Sequence, residues 1–81
     1  MIVLDCALKH GLTERDIELA VDNAIAVRCR NFDPPSHYAL AGADVSGNLI
    51  EVLVAEAEDE ELIAYHAMKL TPKMAKELGL E

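Results

Sequence analysis

Between His37 and Leu70 the chain runs through three apolar segments, "HYALAGA", "LIEVLVAEA" and "LIAYHAMKL", separated only by "DVSGN" and by the acidic residues 58 to 61. A parallel pair of strands needs a crossover of about a dozen residues or more, so connections this short dictate an antiparallel meander. Ser46-Gly47 supplies the turn chemistry of the first connection, and the middle run is the most apolar strand of the chain. Upstream, "VRCR" alternates apolar and basic residues at period two. It predicts a further short strand with Val27 and Cys29 inward and Arg28 and Arg30 outward. Asn31, Asp33, Pro34 and Pro35 close it, because proline removes a ladder donor and fixes its own φ.

Helix signals flank this block. In "HGLTERDIELAVDNAIAV", Thr13 is an N-cap and Asp16 takes the capping-box position, with Asp in place of the usual Glu. Ile17, Ala20, Val21, Ala24 and Ile25 then form one apolar stripe, predicting an amphipathic helix from about Thr13 to Ala26. The preceding "IVLDCALKH" reads as a short helix ending at Gly11, with a strand as the alternative. Near the end, Thr71 caps, Pro72 suits the first helical position and Gly79 the left-handed position after the last turn, giving a helix from Pro72 to Leu78. Met74 and Leu78 would face inward. The predicted class is α+β in a single domain, residues 1–81: N-terminal helices, an antiparallel meander of three to four strands, and a short C-terminal helix, with the helices on one sheet face.

A chain of 81 residues buries only about 60% of the surface it exposes unfolded, so the core is modest. No window approaches the ~18 uninterrupted apolar residues of a membrane span. The opening Met-Ile-Val-Leu-Asp-Cys lacks a basic region and Asp5 interrupts it early, so a soluble cytoplasmic protein is expected, with Cys6 and Cys29 as reduced thiols. Fifteen acids against seven bases give a net charge of −8, which repels nucleic acid and membrane phosphate over the molecule as a whole. The distribution is uneven. Acids crowd residues 14–22 and 56–61, while Lys69, Lys73 and Lys76 lie close together, and Arg28 and Arg30 would join them if the fold brings the segments near.

Few residues carry chemistry. The three histidines have no HxxH or HExxH spacing, so no metal site is expected; Ser46 sits in a turn, and the glycines at 11, 42, 47 and 79 make no phosphate loop, so no cofactor is expected either. Strand alternation puts Ala64, His66 and Met68 on one face and Tyr65 and Ala67 on the other. A histidine among small or apolar neighbours is either a hydrogen-bonded core residue or, because imidazole titrates near neutral pH, an acid–base catalyst. Tyr65 is either a half-buried strand residue or a phosphate or base contact. His10 is placed to interact with the end of the first helix, and His37, at a strand start, is expected on the surface.

Taken together, "LKHGLTERDIELAVDNA", "DPPSHYALAG", "SGNLIEVLVAEAED" and "LIAYHAMKLTPKM" resemble the small bacterial toxins of the BrnT type, whose domain is similar to the RelE ribonuclease fold, and especially their actinobacterial relatives. The likeness runs from roughly Leu8 to Leu78. It implies the toxin of a type II toxin–antitoxin system, an endoribonuclease in which the RNA 2′-hydroxyl attacks the adjacent phosphate without a metal or other cofactor. On that resemblance His66 and Lys69 are the catalytic residues, and Lys73, Arg28, Arg30 and Tyr65 hold RNA. Lys9 and His10 match the family's "KHG" segment. The implied partner is a basic, DNA-binding antitoxin, to which an acidic surface is suited. The chain departs from the family in its acidic balance and in "MKLTPKMAKE", which holds lysines where the family has arginines; lysine offers a point charge rather than a fork for phosphate. Two further expectations therefore stand beside the first: a non-catalytic protein-interaction module with the same fold, and a homodimer built on the apolar sheet.

Overall fold

The computed structural model describes residues 1–81. Its first long element is nucleated by the anticipated cap. The Thr13 hydroxyl oxygen accepts from the Asp16 backbone N–H at 3.1 Å, while Asp16 Oδ2 accepts from the Thr13 N–H at 3.0 Å. The helix that follows, α1 (Glu14–Asp22), stops short of the expected Ala26. Asn23 caps it by donating its side-chain amide to the Leu19 carbonyl, and the Ile25 N–H already donates to Ala41 in the sheet at 2.8 Å. The apolar spacing of Ala24 and Ile25 thus continues a helical pattern into extended chain.

Four strands follow: β2 (Ala26–Asn31), β3 (Ser36–Ala43), β4 (Leu49–Glu56) and β5 (Leu62–Lys69), paired antiparallel in sequence order as the short turns require. The N-terminal segment corrects the expected helix. Ile2–Val3 form β1, parallel to Ile63 and Ala64 of β5, and only Asp5–Leu8 turn helically, as one 3₁₀ turn. Because β5 satisfies this backbone, including Leu4 N–H to the Ala64 carbonyl at 3.0 Å, few residues remain for a helix before Gly11. The class is α+β, and the sheet is mixed and five-stranded, in the order β1-β5-β4-β3-β2. No helix is long and apolar enough to cross a membrane.

Alternation sorts the sheet into two faces. Leu40, Ile50, Val52, Val54, Ala64 and Ala67 meet Ile17 and Ala20 of α1 and Ala7 of the 3₁₀ turn in the main core. Gly42 lets α1 approach closely, since a methyl there would land on the Ala20 carbonyl. The intervening residues Ala39, Ala41 and Glu51 are also buried, beneath the last helix, α2 (Pro72–Glu77), with its buried Met74 and Ala75. Both faces are therefore covered, not one. A small sheet with apolar alanines on its second face has something to bury there, and α2 does it.

Two local departures follow. In β5, Leu53 opposes His66 while Val54 opposes Ala64, leaving Tyr65 as the extra residue of a bulge. Ala64 and Ala67 then share the main core, and Tyr65 and His66 share the second face, against simple alternation. At the edge, Val27 is 58% exposed rather than inward, because α1 packs chiefly over β3 and β4.

Candidate functional site

The polar side chains of the sheet gather on the second face, beside α2. That helix begins as its sequence dictates, with the Thr71 hydroxyl accepting from Met74 N–H at 3.2 Å. The same hydroxyl donates to Glu51 Oε1 at 2.7 Å, and the Thr71 N–H donates to it at 2.9 Å. The other oxygen of Glu51 lies 3.0 Å from His66 Nε2. A carboxylate only accepts, so Nε2 carries a proton, and the neutral tautomer selected by this bond has Nδ1 as its free acceptor nitrogen. Burial pushes the Glu51 carboxyl up, but the hydroxyl and backbone N–H of Thr71, together with His66, more than offset this and hold it below the ordinary glutamate range.

Tyr65, turned to this face by the bulge, places its hydroxyl 3.0 Å from Nδ1 of His37. The contact spans β4, where Ala55, the residue opposite His37, leaves room for the ring. His37 is thus half-buried and bonded, correcting its expected place on the open surface. Arg30 crosses from β2 to α2 and forks onto Glu77, Nε to Oε2 at 2.8 Å and Nη2 to Oε1 at 2.6 Å. This pairing raises Arg30 and lowers Glu77 from their ordinary values. Arg28 points Nη1 toward the Glu77 carbonyl at 3.5 Å. Between sheet and helix lies a groove of about 220 Å³ lined by Arg30, Glu51, Leu53, Thr71, Lys73, Met74 and Glu77.

The residues proposed from sequence therefore divide. His66, Tyr65, Arg30 and Arg28 share the second face, and Lys73 lines its groove. Lys69 does not join them. It opposes Ile50, a residue of the main core, and so leaves the sheet from the other face, exposed. His10 directly follows Lys9, the C-cap of the 3₁₀ turn, and its ring stands edge-on to His66 at 5.8 Å between centroids. Sequence reasoning passed over Glu51 and gave His37 no role. The signal for Glu51 was a lone acid inside the most apolar strand, since a carboxylate at such a position is buried only with partners.

A larger cleft, of about 600 Å³, opens between Pro34, Pro35 and Ser36 on one side and Glu56, Ala57, Glu58 and Glu60 on the other. It is lined by carboxylates without a base and is unsuited to an anion. No three His, Cys, Asp or Glu side chains are grouped to hold a metal ion, and both cysteines are free thiols. The second face instead offers a proton acceptor fixed by a carboxylate, a second imidazole linked to a phenol, and cations beside a groove. No protein-family model, curated protein or solved structure matches the chain.

Proposed function

We propose that the chain is a RelE/BrnT-like toxin domain, a metal-independent endoribonuclease held in check by a cognate basic antitoxin, and that its active site is the second sheet face around His66. The observation that carries this reading is the His66–Glu51 dyad at 3.0 Å on the same face as Tyr65, His37 and Arg30. His66 Nδ1 takes the proton of an RNA 2′-hydroxyl as that oxygen bonds to the adjacent phosphorus. Glu51 fixes the tautomer and steadies the ring as it becomes cationic. Arg30 and Lys73 offset the charge gathering on the phosphoryl oxygens. The bond from phosphorus to the 5′-oxygen breaks, and Tyr65, relayed to His37, protonates the leaving oxygen. The products are a 2′,3′-cyclic phosphate and a 5′-hydroxyl, with no metal required. Lys69, on the other face, is assigned no part in the reaction.

Tightly induced expression in a bacterial host tests the reading. Growth arrest with fragmented bulk RNA is expected for the wild type, with both relieved by His66→Ala. The Arg30–Glu77 fork favours a second reading, because it already satisfies the guanidinium that phosphate would need: a non-catalytic interaction module with the same fold. Normal growth and intact RNA with folded wild-type protein would decide for that module.

A further inference from the structure

The two edges of the sheet are unlike. At one edge β1 contributes two residues, and the rest of β5 is shielded by the 3₁₀ turn, whose Cys6 thiol donates to the Tyr65 carbonyl at 3.1 Å. At the other, β2 pairs with β3 on one side and presents an unpaired row of backbone donors and acceptors on its outer side. Edges left open in monomers are normally blunted by proline, charge or a bulge. Here the prolines come after the strand, and its bulge lies between Cys29 and Asn31. From Ala26 to Cys29 the strand holds no proline and one charge, that of Arg28, and Val27 is 58% exposed, as is Ile25 in the bend just before the strand.

We infer that two copies of the chain join edge to edge through β2, antiparallel about a two-fold axis at Val27, so that the sheet continues from one copy into the other. An axis perpendicular to the sheet keeps each side chain on its own face, so only registers centred on a residue match face to face. Centred on Val27, Val27 meets its counterpart, Ala26 meets Arg28, and Cys29 comes against Ile25 in the bend that precedes the strand. The apolar stripe is continuous, and each guanidinium lies against a methyl. Centring on Arg28 sets two guanidiniums directly opposite, which is unfavourable. Strand geometry supports pairing over Ala26 to Arg28, just short of the bulge between Cys29 and Asn31. The surface is thus complementary to itself, and Arg28, which has only a long contact to a carbonyl, gains no acid from the second copy and needs none. Each copy carries −8, so the bodies repel at long range and association tightens as salt screens them. The inference does not depend on the proposed reaction.

Directly opposed residues in an antiparallel pair have Cα atoms about 4.5–5.5 Å apart, inside the disulfide range of roughly 4.4–6.8 Å. In a Cys6→Ser/Cys29→Ser background, Val27→Cys is expected to oxidise to a covalent dimer. Ala26→Cys, displaced diagonally from its counterpart by about 7–8 Å, is expected to stay largely uncrosslinked. Sedimentation of the unmodified chain should show a dimer whose population grows with protein and salt, and Val27→Lys should shift it to monomer. A chain that stays monomeric up to about 1 mM, or cross-linking equal at both positions, would overturn the proposal and leave the edge for a strand of a different protein.

Discussion

Glu51 accepts three hydrogen bonds while 4% exposed, so its removal leaves two half-buried donors of Thr71 and the His66 ring unpartnered. Glu51→Ala is expected to cost on the order of 1–3 kcal/mol, with Glu51→Gln losing less because the amide oxygen still accepts from Thr71; chemical denaturation measures both. Protonation acts on the same bonds. Glu51, Asp16 and Glu77 are all held below their ordinary values, Asp16 chiefly by the Thr13 N–H and then by the Val45 N–H. Their stabilisation is full above the unfolded values of about 4 and is lost as pH falls through the lower folded ones. The N-terminal amine, raised by Glu61, works oppositely: its contribution is present below about pH 8 and lost as pH rises through its folded value. Thermal stability should therefore be level between roughly pH 5 and 7.5 and fall on the acid side, and a melting temperature unchanged down to pH 3 would contradict this. His66 was legible as a residue of interest. Its partner was not, because which strand position Glu51 opposes depends on a register fixed at long range.

Among the elements, α2 was the most legible because its signals are local. Thr71 caps it, Pro72 opens it, and Gly79, at φ 75°, closes it with Leu80 N–H bonding the Ala75 carbonyl at 2.8 Å and Gly79 N–H the Lys76 carbonyl at 3.2 Å. That paired pattern is the Schellman closure. Thr71 joins helix to sheet as well as capping it, so Thr71→Ala should exceed the cost of an ordinary cap, about 1 kcal/mol, and lower the melting temperature by at least about 4–8 °C. Thr71→Ser should restore most of it, and an unchanged Thr71→Ala would show that the cap contributes nothing. Other elements resisted reading for the opposite reason. β1 is two residues whose partners lie some sixty positions away, and no local pattern announces such a pairing. The bulge at Tyr65 inverts the alternation on which the facing of Ala64 and Tyr65 was judged. The end of α1 is masked in the sequence because Ala24 and Ile25 keep the helical spacing while leading into β2.

For the whole molecule, a net charge of −8 said little about where the charges lie. Glu14, Glu18 and Asp22 ride on α1 over the first face, whereas Arg30 and Lys73 border the groove on the second and Arg28 reaches toward the Glu77 carbonyl beside it. The sheet also parts residues that the sequence sets three positions apart, sending His66 to one side and Lys69 to the other. That division is the core of the functional account. It is tested most directly by incubating purified wild type, His66→Ala and Lys69→Ala, each shown to be folded, with single-stranded RNA in the presence of a chelator, and following fragments with 2′,3′-cyclic phosphate ends. Wild type and Lys69→Ala should cleave at similar rates, with His66→Ala slower by about 100-fold or more. Wild-type protein that leaves the RNA intact, or a loss at Lys69 as deep as that at His66, would contradict the account.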